Sequence, residues 1–172
     1  MKNTFKITAC AALLLAAVGA QAEQTDITVT ANIDPTVSLT QADGSALPDS
    51  IKMKYKAGVG LQPYQNNVKI WSNLKDAGVN VKLVQTPKLL DQKGQNPIEL
   101  GVALNGSTLS TADTAFTYAT IFPQGIANGS AVMPLNIIQK DTSAAAISAI
   151  TAGQYSGLVS IVVSQALTTP KP

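Results

Sequence analysis

Histidine and arginine are both missing from this 172-residue sequence, and cysteine occurs once, at Cys10. Each absence excludes some chemistry. Without histidine, and with Cys10 discarded as argued below, the usual general base and the thiol nucleophile are gone. A zinc site would have to be built from carboxylates alone, an unusual donor set. Without arginine there is no planar fork for bidentate capture of phosphates or guanine edges. Long apolar runs are scarce too. Residues 11–18 form a short one, and no other stretch approaches the ~18 consecutive apolar residues of a membrane span.

The short run belongs to a leader. Lys2 and Lys6 supply a charged start, residues 11–18 the apolar middle, and Ala20-Gln21-Ala22 a small-x-small cleavage site. The layout predicts a signal peptide over residues 1–22, cut between Ala22 and Glu23. Ile7-Thr8-Ala9-Cys10 imitates a lipid-attachment box, but such a box follows the apolar region, and here the apolar region comes after Cys10. Cleavage leaves residues 23–172 with no cysteine, so no disulfide holds the fold. It also leaves ten lysines against ten acids. The pI of 8.7 therefore describes the uncut chain, and a neutral product gains little from attraction to nucleic acid or an anionic membrane.

What the sequence does contain is alternation. Ile27, Val29, Ala31 and Ile33 share one face of residues 26–33, with Thr28, Thr30 and Asn32 on the other, which is the period of a half-buried strand. Asp34-Pro35 interrupts it, because proline lacks a donor and restricts the residue before it. Val37 and Leu39 resume the pattern, and residues 42–50 are rich in turn residues. Ile51, Met53 and Tyr55 alternate with Lys52, Lys54 and Lys56. Further strands are predicted at 68–71, 79–83, 98–104, 116–122, 132–138 and 155–165, and Asn105-Gly106 is a strong hairpin turn. Residues 142–150 are alanine-rich and fit one short helix or loop. Roughly eight short strands punctuated by Gly, Pro, Asn and Asp predict a single all-β domain, an antiparallel sandwich or barrel.

No catalytic constellation emerges. The lysines sit on alternating polar faces, the acids are scattered through turns, and Gly58-Val59-Gly60 lacks the later glycine and the helix of a dinucleotide loop. Asn105-Gly106-Ser107 and Asn128-Gly129-Ser130 match a glycosylation sequon, though Asn-Gly turns explain both more simply. Trp71 and the tyrosines offer aromatic faces on which a sugar stacks, but the stronger reading is that large aromatics in a small sandwich fill the core. The expectation is a chain that is not an enzyme, with no catalytic residue, cofactor or metal.

Function is carried by the two ends. Residues 23–35, EQTDITVTANIDP, followed by VSLTQADGSALP and by AGQYSGLVSIVV near the C-terminus, resemble the major pilins of the CFA/I type. These are class 5 fimbriae, assembled by the alternate chaperone–usher pathway of enteric bacteria, with cable pilins as relatives. The likeness covers the signal-adjacent strand, residues 39–48 and the last strand, and more loosely the whole mature length. The resemblance implies an immunoglobulin-like antiparallel sandwich that lacks one strand and is completed by a donated N-terminal strand. It divides the chain into a signal peptide (1–22), a donor strand (23–35) and a pilin domain (36–172). Ile27, Val29, Ala31 and Ile33 would enter a neighbour's groove, Asp34 and Pro35 would form the joint, and Val159, Ile161 and Val163 would be part of the groove wall. The implied partners are identical subunits in a homopolymer, a periplasmic chaperone, an outer-membrane usher and a minor tip adhesin. The place is a fimbria on the bacterial surface, where the shaft supports adhesion to host cells.

The physics suits that role. A donated strand pairs a sheet edge that otherwise stays open. Burying three aliphatic side chains and an alanine contributes roughly 5–9 kcal/mol before ordering costs. A head-to-tail contact propagates as an open filament. Two other readings stand beside it. Residues 26–33 would be simply the domain's own first strand, or the chain would be an exported carbohydrate-binding module or fimbrial adhesin. A two-domain tip adhesin needs a longer chain, and a self-contained binding module has no use for an unpaired N-terminal strand.

Overall fold

The computed structural model describes Thr30, Ala31 and residues 36–166. The expected signal segment and its cleavage point at Ala22 and Glu23, the donor positions Ile27, Val29 and Ile33, and the joint at Asp34 and Pro35 lie outside the described residues. The β domain falls within the unit Asp34–Pro172. In chain order it forms β1 (Val37–Gln41), β2 (Tyr55–Lys56), β3 (Gly60–Leu61), β4 (Tyr64–Ser72), β5 (Val79–Leu83), β6 (Lys88–Asp91) and β7 (Ile98–Leu104). Then come β8 (Ser107–Thr108), β9 (Thr114–Phe116), the helical turn α1 (Tyr118–Ile121), β10 (Met133–Gln139), α2 (Ala144–Ser148), β11 (Tyr155–Ser156) and β12 (Ile161–Gln165).

Every ladder is antiparallel. The larger sheet runs β1-β4-β10-β7-β6-β11, with β8 folded back on β7; the smaller runs β12-β5-β9. Strand β4 serves two partners in succession. Its second half faces β1, with Ile70 opposite Leu39, and its first half faces β10, with Tyr64 opposite Ile137. Period-2 alternation sets the inner face: Val68 and Ile70 of β4, Leu100, Val102 and Leu104 of β7, and Met133 and Leu135 of β10 are buried. Val79, Val81 and Leu83 of β5 and Phe116 of β9 meet them from the other sheet in one core. The result is an all-β, immunoglobulin-like sandwich. Asn105 and Gly106 join β7 to β8 with φ of 50° and 81°, the two positive values a type I′ turn requires.

Four expectations are corrected. Residues 51–53 are extended, with Ile51 and Met53 half-buried and Lys52 exposed, but they join no ladder; pairing begins at the Lys54 carbonyl, which accepts from the Gln62 N–H at 2.7 Å, and continues in Tyr55–Lys56 against Gly60–Leu61. The strand expected at 116–122 ends at Phe116, where Thr117 caps α1 by accepting from the Thr120 N–H and so turns the chain into a helix. The long strand at 155–165 is two strands in different sheets, β11 on β6 and β12 on β5. Gly157 sits at the crossing. A Cβ there would collide with the Lys88 carbonyl, so only glycine lets the chain pass. Finally, Trp71 does not fill the core. It is half-buried, one position from buried Ile70 and so on the opposite face of β4, pressed on Gly129, with its indole N–H donating to Thr40 Oγ1 at 2.9 Å. No described helix is long and apolar enough to cross a membrane.

Candidate functional site: an open apolar groove

The unpaired segment at residues 47–53 and the sheet-switching segment at residues 155–161 both line an apolar groove of about 890 Å³. Its floor is core. Ile98 and Leu100 of β7 and Ile137 of β10 are 4–6% exposed and line it from below. Leu47, Ile51 and Met53 supply one wall and Leu158, Val159 and Ile161 the other. The floor residues are held by the sheet ladders, whereas among the described residues the first wall joins no ladder and the second is paired on one side only.

The backbone makes the opening explicit. Ser160 accepts from the Val84 N–H at 3.0 Å and Ala166 donates to the Gly78 carbonyl at 2.9 Å, so even-numbered residues of the last strand exchange bonds with β5. The N–H and C=O of Ile161 and Val163 therefore point away from β5. Among the described residues they have no partner, and neither does the backbone of residues 47–53. The groove thus borders unpaired backbone at residues 47–53 and at Ile161. Such edges carry unmet donors and acceptors and are templates for another strand. At one end the edges of the two sheets are tied: Gln165 Nε2 donates to the Thr36 carbonyl at 3.1 Å and to Ser72 Oγ at 3.2 Å.

The end of the first wall is set by a buried glutamine. Gln139, 5% exposed, accepts from the Leu61 N–H at 2.9 Å and donates to the Asp141 carbonyl at 2.6 Å, locking the β2–β3 hairpin to the end of β10. Gly60, at φ 94°, is required beneath it, since a Cβ would come within 2.6 Å of Gln139 Oε1. Asp43, Asp91 and Asp141 are held below the usual carboxyl range, chiefly by hydrogen bonds from Ser45, Gln95 and Ser143 respectively, and none of the three lines the groove.

Of the residues singled out in the sequence, Val159 and Ile161 line the groove, and Val163 packs half-buried against the core further along β12. Ala31 is exposed. The sequence reading missed the floor and the whole first wall. The signal is present in the alternation of Ile51 and Met53 with Lys52 and Lys54, which reads as a strand and says nothing of whether that strand is paired. The aromatic sugar platform finds no support at Trp71, whose ring lies against the Gly129 backbone with Lys69 Nζ 5.8 Å from its centroid.

An immunoglobulin-like antiparallel sandwich that, among the described residues, leaves an apolar groove beside unpaired strand edges fits the pilin class. The comparisons agree. The model of the CS1 type fimbrial major subunit matches residues 23–164. A CS1 fimbrial subunit of Escherichia coli is 36% identical over 163 residues, covering 90% of this chain and 92% of that protein. A CFA/I fimbrial subunit of Escherichia coli O78:H11 (strain H10407 / ETEC) is 35% identical over 155 residues, covering 88% and 90%. The solved CooA pilin subunit from enterotoxigenic Escherichia coli superposes with a TM-score of 0.66 at 32% identity, covering 78% of this chain and 90% of that one. The chain belongs to the CS1-type fimbrial major subunit family. It is a major structural subunit of fimbriae on the bacterial cell surface.

Proposed function

We propose that the groove accepts residues 23–35 of a second copy of this chain, so that subunits polymerise head to tail by strand donation into the fimbrial shaft. The observation that carries the reading is the pair of open backbone edges on one apolar trough. The trough's first wall, residues 47–53, is seven residues long, or about 23 Å when extended. Residues 27–33 of the donor are the same length and present Ile27, Val29, Ala31 and Ile33 at the same period. Asp34 and Pro35 act as the joint between donor strand and body. The family match begins at Glu23, the first residue after the expected cleavage at Ala22, which supports export of residues 23–172 after removal of the leader.

The groove needs an occupant before a neighbour arrives, because an exposed apolar trough with open edges invites mispairing. A periplasmic chaperone fills it, an outer-membrane usher exchanges it, and a minor tip adhesin begins the filament. The subunit works as a structural element and not as an enzyme. The test compares the chain without residues 1–22 to one also lacking residues 23–33, by electron microscopy and thermal unfolding. The longer chain forms filaments. The shorter one is unstable until a synthetic peptide of residues 23–35 is added. A shorter chain that is a stable monomer indifferent to the peptide refutes the proposal.

A further inference from the structure

We propose that Lys52, Lys54 and Lys56 form an electrostatic guide rail that captures the acidic N-terminal segment of the incoming copy and sets its register in the groove; the inference rests on the strand-donation reading above. The three lysines occupy alternate positions along the extended first wall and its continuation into β2, and all three are exposed. Their ammonium groups make no hydrogen bond or ion pair with any described residue, whereas Lys82 and Lys140 are paired to Asp113 and Glu99. Lys52 also lines the groove. The row lies on the exposed side of a wall whose alternate residues, Ile51 and Met53, are half-buried, so it borders the opening, with Lys52 at its lip. The nearest preceding acids on that stretch of chain, Asp43 and Asp49, lie outside the alternating row.

The donor carries the opposite sign. Residues 23–34 contain Glu23, Asp26 and Asp34 and no lysine. Cleavage before Glu23 would add one α-amino charge, which leaves the segment acidic. Parity then places the charges. With Ile27, Val29, Ala31 and Ile33 facing the trough, Asp26 and Asp34 fall on the outward face, the same side of the new sheet as Lys52, Lys54 and Lys56. A one-residue slip would turn the two aspartates into the apolar trough and the aliphatic residues into water. Apolar burial and charge pairing thus select the same register.

Exposed pairs of this kind add little to equilibrium stability, because water and salt screen them. Their effect lies in the encounter, where complementary charge raises the association rate. The rail is therefore a determinant of how fast and in which register subunits join, and leaves the strength of the finished joint nearly unchanged.

The test is polymerisation of the chain without residues 1–22, diluted from denaturant and followed by light scattering at low and high salt. The parent rate falls about tenfold on going from ~20 to ~300 mM NaCl, an order typical of steered association. K52Q/K54Q/K56Q polymerises slowly and with little salt dependence, the all-arginine replacement behaves as the parent, and D26N/D34N reproduces the glutamine variant from the donor side without touching the lysine row. Parent-like rate and salt slope in both neutralised variants overturn the rail. Loss of the salt slope in only one of the two neutralised variants overturns the pairing. A chain lacking residues 23–33 is run alongside: if it polymerises as fast as the parent, strand donation fails as well. If it does not polymerise and the neutralised variants keep the parent slope, only the rail is lost.

Discussion

Replacing Gln139 by leucine isolates the contact that holds one wall of the groove. The side chain is buried, has a volume close to that of leucine, and accepts from the Leu61 N–H at 2.9 Å while donating to the Asp141 carbonyl at 2.6 Å. In Gln139→Leu the Asp141 carbonyl, which belongs to an exposed residue, turns to water. The Leu61 N–H lies under the side chain and loses its acceptor. An orphaned, part-buried donor costs about 1–3 kcal/mol. For a domain of this size that corresponds to a fall of roughly 3–9 °C in Tm. The β2–β3 hairpin, and with it Met53, loses its anchor to β10, so binding of the 23–35 peptide weakens more than global stability does. Gln139→Glu adds a signed control. A buried carboxylate facing the Asp141 carbonyl has a raised folded-state pKa, so its penalty relative to the parent appears as pH rises above the unfolded glutamate value of about 4.3 and vanishes below it, where the protonated acid donates as the amide did. Thermal unfolding and peptide titration across pH measure both. A Gln139→Leu domain with parental Tm and parental peptide affinity refutes the anchoring argument.

Two further outcomes are expected. Gly157→Ala forces a Cβ into the Lys88 carbonyl and costs about 1–3 kcal/mol as the crossing between sheets shifts, read as a lower urea midpoint with an unchanged slope. At Asp91, the carboxylate accepts from the N–H groups of Gln95 at 2.7 Å and Lys93 at 2.9 Å and from Asn96 Nδ2 at 2.8 Å, with the Gln95 bond the main cause of its lowered pKa. Its contribution is present above the unfolded carboxylate pKa of about 3.9 and disappears as pH falls through the lower folded value. Asp91→Asn should flatten the acid limb of the stability curve in that window, and an unaltered limb would show that the turn bonds do not depend on the charge.

Most of the sheet was legible where one face is buried and the other is wet. Val79, Val81 and Leu83, and Ile98, Leu100, Val102 and Leu104, alternate cleanly because β5 and β7 each have the core on one side only. Strand β6 escaped notice because Leu89 and Leu90 are adjacent and both half-buried, which erases the period. The helical turn at Tyr118–Ile121 was hidden by an alternation of apolar residues that a cap at Thr117 overrides. The sheet switch near Gly157 depends on a contact with Lys88, sixty-nine positions earlier, which no local pattern reports. The groove was half-visible for the same reason. Val159 and Ile161, named from family likeness, line it, while the opposite wall reads identically to a paired strand, since missing hydrogen bonds leave no mark on sequence.

The alternate exposure of the Ile161 and Val163 backbone groups along β12 has a mechanical consequence. A strand seated on that edge is bonded at right angles to its own length, so tension along a fimbria would load those bonds in shear, all at once, and not one after another as in peeling a hairpin. With no cysteine in residues 23–172 to lock the joint covalently, that loading direction is what would let a reversible contact bear the drag of flowing fluid on an attached cell.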